Sequence, residues 1–329
     1  VKAAESYLKS GTPLPVNLKL LIEGEEEVGS KHLAAYVEQH KKDLACDVIV
    51  ISDTAMFGPG VPSVTVGLRG LAYVQVTLDG PDRDLHSGVY GGGVENPVNA
   101  LARLIAGLHD DQHRVNLPGF YDNVRPLAEE ERQAWRDLPF DEARWLGEIG
   151  LTTGKTEAGY SIFEGTTARP TLDVNGIGGG YQGAGSKTVL PARAFAKISC
   201  RLVPDQDPHE VADMLRAYFE AHTPPTMKLT FEEMHGGMPV LMDVHQPAMQ
   251  AAKTALQETY NREPYFTREG GSIPVVADLK RILGVDCALL GFGLTGDSIH
   301  SPDEHFGLDR YHAGIETVIR FWQHFGAAV

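Results

Sequence analysis

Cysteine is scarce. Among 329 residues only Cys46, Cys200 and Cys287 occur, and no two stand in a C-x-x-C unit. An odd, small number in so long a chain argues against a disulfide framework and for a reducing compartment, the cytoplasm. Basic charge is also short: 29 Lys and Arg face 44 Asp and Glu, a net charge of −15. Nucleic-acid and anionic-membrane partners need clustered cations, so neither is expected. Long apolar runs are missing. Stretches such as Cys287 to Leu290 fall far short of the ~20 residues that span a bilayer. The first residues, VKAAESYLKSGTPLP, lack both a Met and the apolar core of a signal peptide, and read as the middle of a helix. No G-x-S-x-G elbow supports a serine nucleophile.

What is present is ordinary for a folded protein, with 42% hydrophobic and 22% charged residues. At about 150 residues per domain the length suggests two domains. Val16 to Glu23 (VNLKLLIE) reads as a buried strand. Ser30 reads as the N-cap of a helix reaching about Lys42. Asp47 to Ser52 (DVIVIS) reads as a second buried strand with Asp53 at its end, so β-α-β alternation predicts a parallel sheet. Near Gly67 the texture changes. Leu71 to Leu78 (LAYVQVTL) alternates apolar and polar residues, as an antiparallel strand with one exposed face does. A glycine-rich loop follows at Gly88 to Gly93, then a helix capped by Asn96 with Pro97 at its first position. Leu127 to Trp145 reads as acidic helix, Thr171 to Val174, Ala194 to Val203 and Met227 to Glu233 as strands, and Asp207-Pro208 as a helix start. From about Pro239 the α/β texture returns, with helices over Gln246 to Tyr260, Ile273 to Leu283 and His312 to Phe325 and a strand over Val285 to Gly291. These patterns predict an α/β domain interrupted by an inserted α+β domain: 1–67 and 237–329 form the first, 68–236 the second.

Three segments could carry chemistry. Glu25-Glu26-Glu27 follows the first predicted strand. A bare triple Glu is ordinarily a solvated loop, but open α/β sheets bind ligands beyond the carboxyl ends of their strands, where Asp53 also falls. Carboxylates gathered there repel unless a cation neutralises them, and neighbouring ones can divide metal binding from proton transfer. His300, in GLTGDSIHSPDEHF, follows the strand Val285 to Gly291 and would complete an N/O ligand set of the kind zinc takes. His305 reads as a surface residue. His86, in DLHSGVYGGG, is a turn histidine or a functional one. Two further stretches are decoys. Gly154-Lys155-Thr156 lacks the glycine a phosphate loop needs, and Gly176 to Gly185 lacks the strand-loop-helix setting of a dinucleotide site.

Together EGEEEVGS (Glu23 to Ser30), ISD (Ile51 to Asp53), GLRG (Gly67 to Gly70), DLHSGVYGG (Asp84 to Gly92), GAGSKTVLP (Gly183 to Pro191), RLVP (Arg201 to Pro204), TREGGSIPV (Thr267 to Val275) and HSPDE (His300 to Glu304) resemble the co-catalytic zinc metallopeptidase family of carnosine dipeptidases and cytosolic non-specific dipeptidases. Wider relatives include aminoacylases, acetylornithine deacetylase and succinyl-diaminopimelate desuccinylase. The resemblance implies a zinc-aminopeptidase-like catalytic domain and an inserted α+β lid that forms a homodimer. It implies Glu26 as general base and Glu27, Asp53 and His300 as metal ligands. His86 would reach the partner's active site and stabilise the oxyanion. Arg201 would grip the substrate's terminal carboxylate, and Thr188, Gly271 and Ser272 would contact substrate. The reaction implied is hydrolysis of a dipeptide by metal-activated water; an N-acyl amino acid is the alternative substrate, and a non-catalytic dimerising fragment the alternative role. The family pattern also has an upstream His-x-Asp and a second, bridging Asp, yet residues 1 to 22 hold neither His nor Asp. The expectation is therefore a member lacking its N-terminal part, holding one ion or none where the intact protein holds two zinc or manganese ions.

Overall fold

Two sheets organise the chain, each made by segments whose apolar pattern suits the layer they occupy. The computed structural model describes residues 1–329. Its strands are β1 (Ile49–Ile51), β2 (Ser63–Leu68), β3 (Gly70–Asp79), β4 (Leu85–His86), β5 (Thr171–Gly179), β6 (Val189–Leu190), β7 (Arg193–Leu202), β8 (Lys228–Gly237), β9 (Val240–Leu241), β10 (Tyr265–Glu269) and β11 (Cys287–Leu289).

The first sheet runs β1-β11-β2-β10, with β9 also paired to β2. Strands β2 and β11 are buried along their whole length, as expected where both faces are covered. The helices Pro247–Tyr260 and Leu308–Ala328 pack on each other here and share one core with the sheet, through Met249, Leu256, Phe321 and Leu289. The helices Leu33–Gln39 and Pro274–Leu283 enclose a smaller cluster of Val37, Leu279 and Ile282 beside Ile49 and Ile51.

The second sheet, β5-β7-β3-β8, is antiparallel throughout. Strand β3 keeps the alternation read from its sequence, burying Ala72, Val74 and Val76. That face carries the helices Pro97–Ala106 and Pro208–His222, with Leu101, Leu215 and Phe219 fully enclosed. Burying each such side chain contributes about 1.5–3 kcal/mol. The Asn96 side chain accepts the Val98 N–H at 2.9 Å with Pro97 next, and Asp207 caps the other helix in the same way.

The chain passes between the sheets twice, at Leu68-Arg69-Gly70 and at Gly237 to Val240. The passages lie side by side, because Leu71 pairs with Gly237. A Cβ on Gly70 would stand 2.6 Å from the Gly237 carbonyl oxygen and 2.7 Å from Pro239, so only glycine fits.

Four readings of the sequence need correction. The expected parallel sheet is mixed: β1 and β11 are parallel, as are β2 and β10, but β11 meets β2 antiparallel. Val16 to Glu23 forms no strand. Lys19 reaches the Ala45 carbonyl at 2.5 Å, but no backbone ladder joins this segment to a neighbour, and Leu20 and Ile22 stay 61% and 83% exposed. Its apolar residues read as a buried strand, yet a strand needs a paired backbone and sequence pattern supplies no partner. Ser30 is not an N-cap, since its φ of 46° places it in a left-handed turn, and the helix begins at Leu33. Leu127 to Trp145 breaks into two helices, Glu129–Arg136 and Glu142–Glu148. No helix is long and apolar enough to cross a membrane.

Candidate active site

Parallel pairing of β1 with β11 sends both strand ends to one edge of the sheet. Beyond that edge the two segments stay laced together: the Met56 N–H donates to the Gly293 carbonyl at 2.9 Å, and Ser52 Oγ donates to the Leu290 carbonyl at 2.8 Å. Gly291 permits the approach, because a Cβ there would lie 2.1 Å from the Thr54 carbonyl oxygen. Asp53 and the loop bearing His300 are thereby neighbours although 247 positions separate them.

The acidic segment joins them after a local sorting of its carboxylates. Glu25 is tied to His32 Nδ1 at 2.8 Å, and Glu23 accepts the Ser30 hydroxyl at 2.7 Å. Glu26 and Glu27 are left to face the sheet edge from a short 3-10 turn, Glu26–Val28. Glu27 Oε2 lies 3.3 Å from His300 Nε2. Desolvation, and then the charges of Asp53, Glu27 and Glu23, push the Glu26 carboxyl above its usual range, with His300 opposing. Asp53 is raised in the same way, by desolvation and then by Glu27. Four residues from three distant segments thus form one electrostatic cluster.

The loop carrying His300 is pinned from behind. Buried Asp297 receives two bonds from buried Arg310, at 2.5 and 2.6 Å, and accepts the Leu294 N–H at 2.8 Å. Arg310 also donates to the Phe292 carbonyl at 2.9 Å. His305 turns to its own loop, with Nδ1 3.0 Å from the Asp303 carbonyl oxygen.

A second cluster lies past the end of β10. Arg201, on β7 of the other sheet, donates to Ser272 Oγ at 3.0 Å, and Ser272 donates to the Arg69 carbonyl at 2.5 Å. Gly271 borders open space. Glu269 links the clusters: its carboxylate accepts Thr65 Oγ1 at 2.7 Å, burial raises its pKa most, and Asp53 raises it further. His86 and Thr188 form a third group in the insertion. Strands β4 and β6 place them together, with the Ser87 N–H donating to the Thr188 carbonyl at 3.0 Å and His86 Nδ1 accepting the Gly88 N–H. Within the chain His86 and Thr188 contact neither of the other clusters.

Sequence reading assigned no role to Glu269, Arg69, Asp297 or Arg310. The signal for Glu269 was a carboxylate in the quoted TREGGSIPV, and Arg69 stood in the quoted GLRG.

Two carboxylates and an imidazole are the donor types a zinc-like cation takes. Their placement falls short of a site, because no three His, Cys, Asp or Glu side chains gather closely enough to hold an ion. Glu27 and His300 form a pair, with Asp53 beside them.

An α/β sheet with acids and a histidine at its carboxyl edge, interrupted by an antiparallel α+β insertion, is the architecture of a metallohydrolase with a lid. The comparisons are specific. The peptidase dimerisation domain matches residues 66–227. The Cys-Gly metallodipeptidase DUG1 of Candida albicans is 34% identical over 330 residues, covering 98% of this chain and 68% of that protein. The structure of human carnosine dipeptidase 1 superposes with a TM-score of 0.79 at 29% identity, over 99% of this chain and 69% of that one. An M20 family metallo-carboxypeptidase from Sulfolobus solfataricus superposes with a TM-score of 0.85 at 31% identity, over 99% and 74%. The chain belongs to the M20 family of metallopeptidases, with the dimerisation domain inserted into the catalytic one.

Proposed function

We propose that this protein is a metallo-dipeptidase that hydrolyses dipeptides with both ends free. The observation carrying the reading is the meeting of Glu26, Glu27, Asp53 and His300 at one sheet edge, next to an arginine-serine pair suited to a carboxylate. Glu26 is the base: its raised pKa favours holding a proton taken from the attacking water until the leaving amine needs it. Glu27, Asp53 and His300 are the protein's donors to a divalent cation, zinc or manganese. Arg201 orients the substrate by its terminal carboxylate, a bidentate contact that suits a planar guanidinium. Ser272 and Gly271 line the same subsite. His86 and Thr188 act across a homodimer formed by the insertion, since within one chain they stand apart from the base. We place the domain boundaries at 1–67, 68–236 and 237–329, and the protein in the cytoplasm.

Relatives named as acting on Cys-Gly and on carnosine favour dipeptides over N-acyl amino acids as the substrate class. With zinc or manganese added, the protein should hydrolyse dipeptides. Glu26→Gln should lower turnover by about 10²–10⁴-fold while leaving metal bound. A panel of dipeptides and N-acyl amino acids separates the alternatives: faster release from the acyl substrates would make it a deacylase, and no release from either would overturn the reading.

A further inference from the structure

Arg69 joins the two lobes. Its Nε donates to the Gly270 carbonyl at 3.0 Å on the catalytic side, and its Nη1 lies 3.4 Å from the Arg169 carbonyl on the insertion side. Its own carbonyl accepts Ser272, which in turn accepts Arg201. The two guanidiniums therefore share one small region at the lobe junction. Neither forms an ion pair: the acceptors of Arg69 are carbonyl oxygens and that of Arg201 is a hydroxyl, leaving most of their five N–H donors each without a partner. The acid whose charge acts on Arg69 is Asp173, on β5 two residues after the Thr171 that pairs with Arg201. It is exposed and single, so the region stays net positive.

Two like charges held together and partly buried are costly unless an anion completes them. Arg69 registers that cost, its pKa pushed down to about 10 by burial first and by Arg201 second. The packing keeps it there. A Cβ on Gly270 would stand 2.8 Å from Arg69 Nη2 and 2.4 Å from the Thr166 carbonyl oxygen, whereas one on Gly271 would meet nothing within 4 Å. The guanidinium is thus packed against Gly270, while the next residue, Gly271, borders open space.

We propose that Arg69 and Arg201 together form a doubly cationic subsite for the free carboxylate of the peptide, with Arg69 a specificity-determining residue. This rests on the reading of Arg201 given above. The Arg69 side chain adds charge beside Arg201, while the backbone carbonyl at this position, which any residue would keep, holds Ser272.

The test is binding to the metal-free chain, measured by calorimetry with glycyl-leucine and with its C-terminal amide. The wild type should prefer the acid, and the preference should shrink as salt is added. Arg69→Gln should cut the preference by about tenfold, and Arg69→Lys should keep most of it. Because Arg69→Gln could also weaken folding at the lobe junction, Arg201→Gln provides an independent arm: with Arg69 intact it should retain a reduced but measurable preference for the acid. An unchanged preference in Arg69→Gln, complete loss in Arg201→Gln alone, or a lysine no better than glutamine would overturn the role of Arg69 while leaving a carboxylate subsite. Equal binding of acid and amide to the wild type would overturn that subsite and the reading of Arg201 with it.

Discussion

At the residue scale the site is a set of like charges held together before any cation arrives. Glu26 and Asp53 both have pKa values raised by desolvation and by neighbouring acids. For an acid raised on folding, the sign is fixed. No stability is lost at low pH, where the group is protonated in both states. The penalty grows as pH rises through the unfolded and then the folded pKa, and is complete above it. Asp53→Asn should therefore raise the melting temperature of the metal-free protein at pH 7 and lose that advantage in acid, as thermal unfolding across pH would show. The buried pair behind the site behaves oppositely. Removing one partner of Arg310–Asp297 leaves an uncompensated buried charge, so Arg310→Met should cost about 3–5 kcal/mol in chemical denaturation. That Asp53 and His300 could meet at one sheet edge was readable because each follows a buried strand in sequence, whereas roles for them and for Glu26 and Glu27 came only from the family resemblance. Arg69 with Gly270, and Arg310 with Asp297, were not readable, because each pair is made by packing between segments far apart in the chain.

At the scale of elements, periodicity predicted well wherever one face packs on a partner in the same lobe. Strand β3 and the helices opened by Asn96 and Asp207 follow their patterns closely. It failed at Val16 to Glu23, where apolar character is real but no backbone ladder forms. The exposed Leu20 and Ile22 make this ribbon adhesive. Ile22→Glu should reduce binding of a hydrophobic dye and concentration-dependent association, yet shift stability by no more than about 0.5 kcal/mol. Light scattering beside a melting curve separates the two effects. The direction of β11 against β2 was equally illegible, since apolar content does not encode which way a neighbour runs.

At the scale of the molecule, the dimerisation domain predicts an assembly of about twice 35.7 kDa, which light scattering after gel filtration would measure. His86→Ala should leave that mass unchanged, because the residue lies exposed on a two-residue strand outside both main cores. The side-by-side passages at Gly70 and Gly237 have a consequence of their own. A guest whose two ends touch asks its host for no more than a tight turn. The host sheet could be closed over by a short splice, and a different guest grafted through the same doorway, so the architecture invites ancestry by acquisition and re-engineering by exchange.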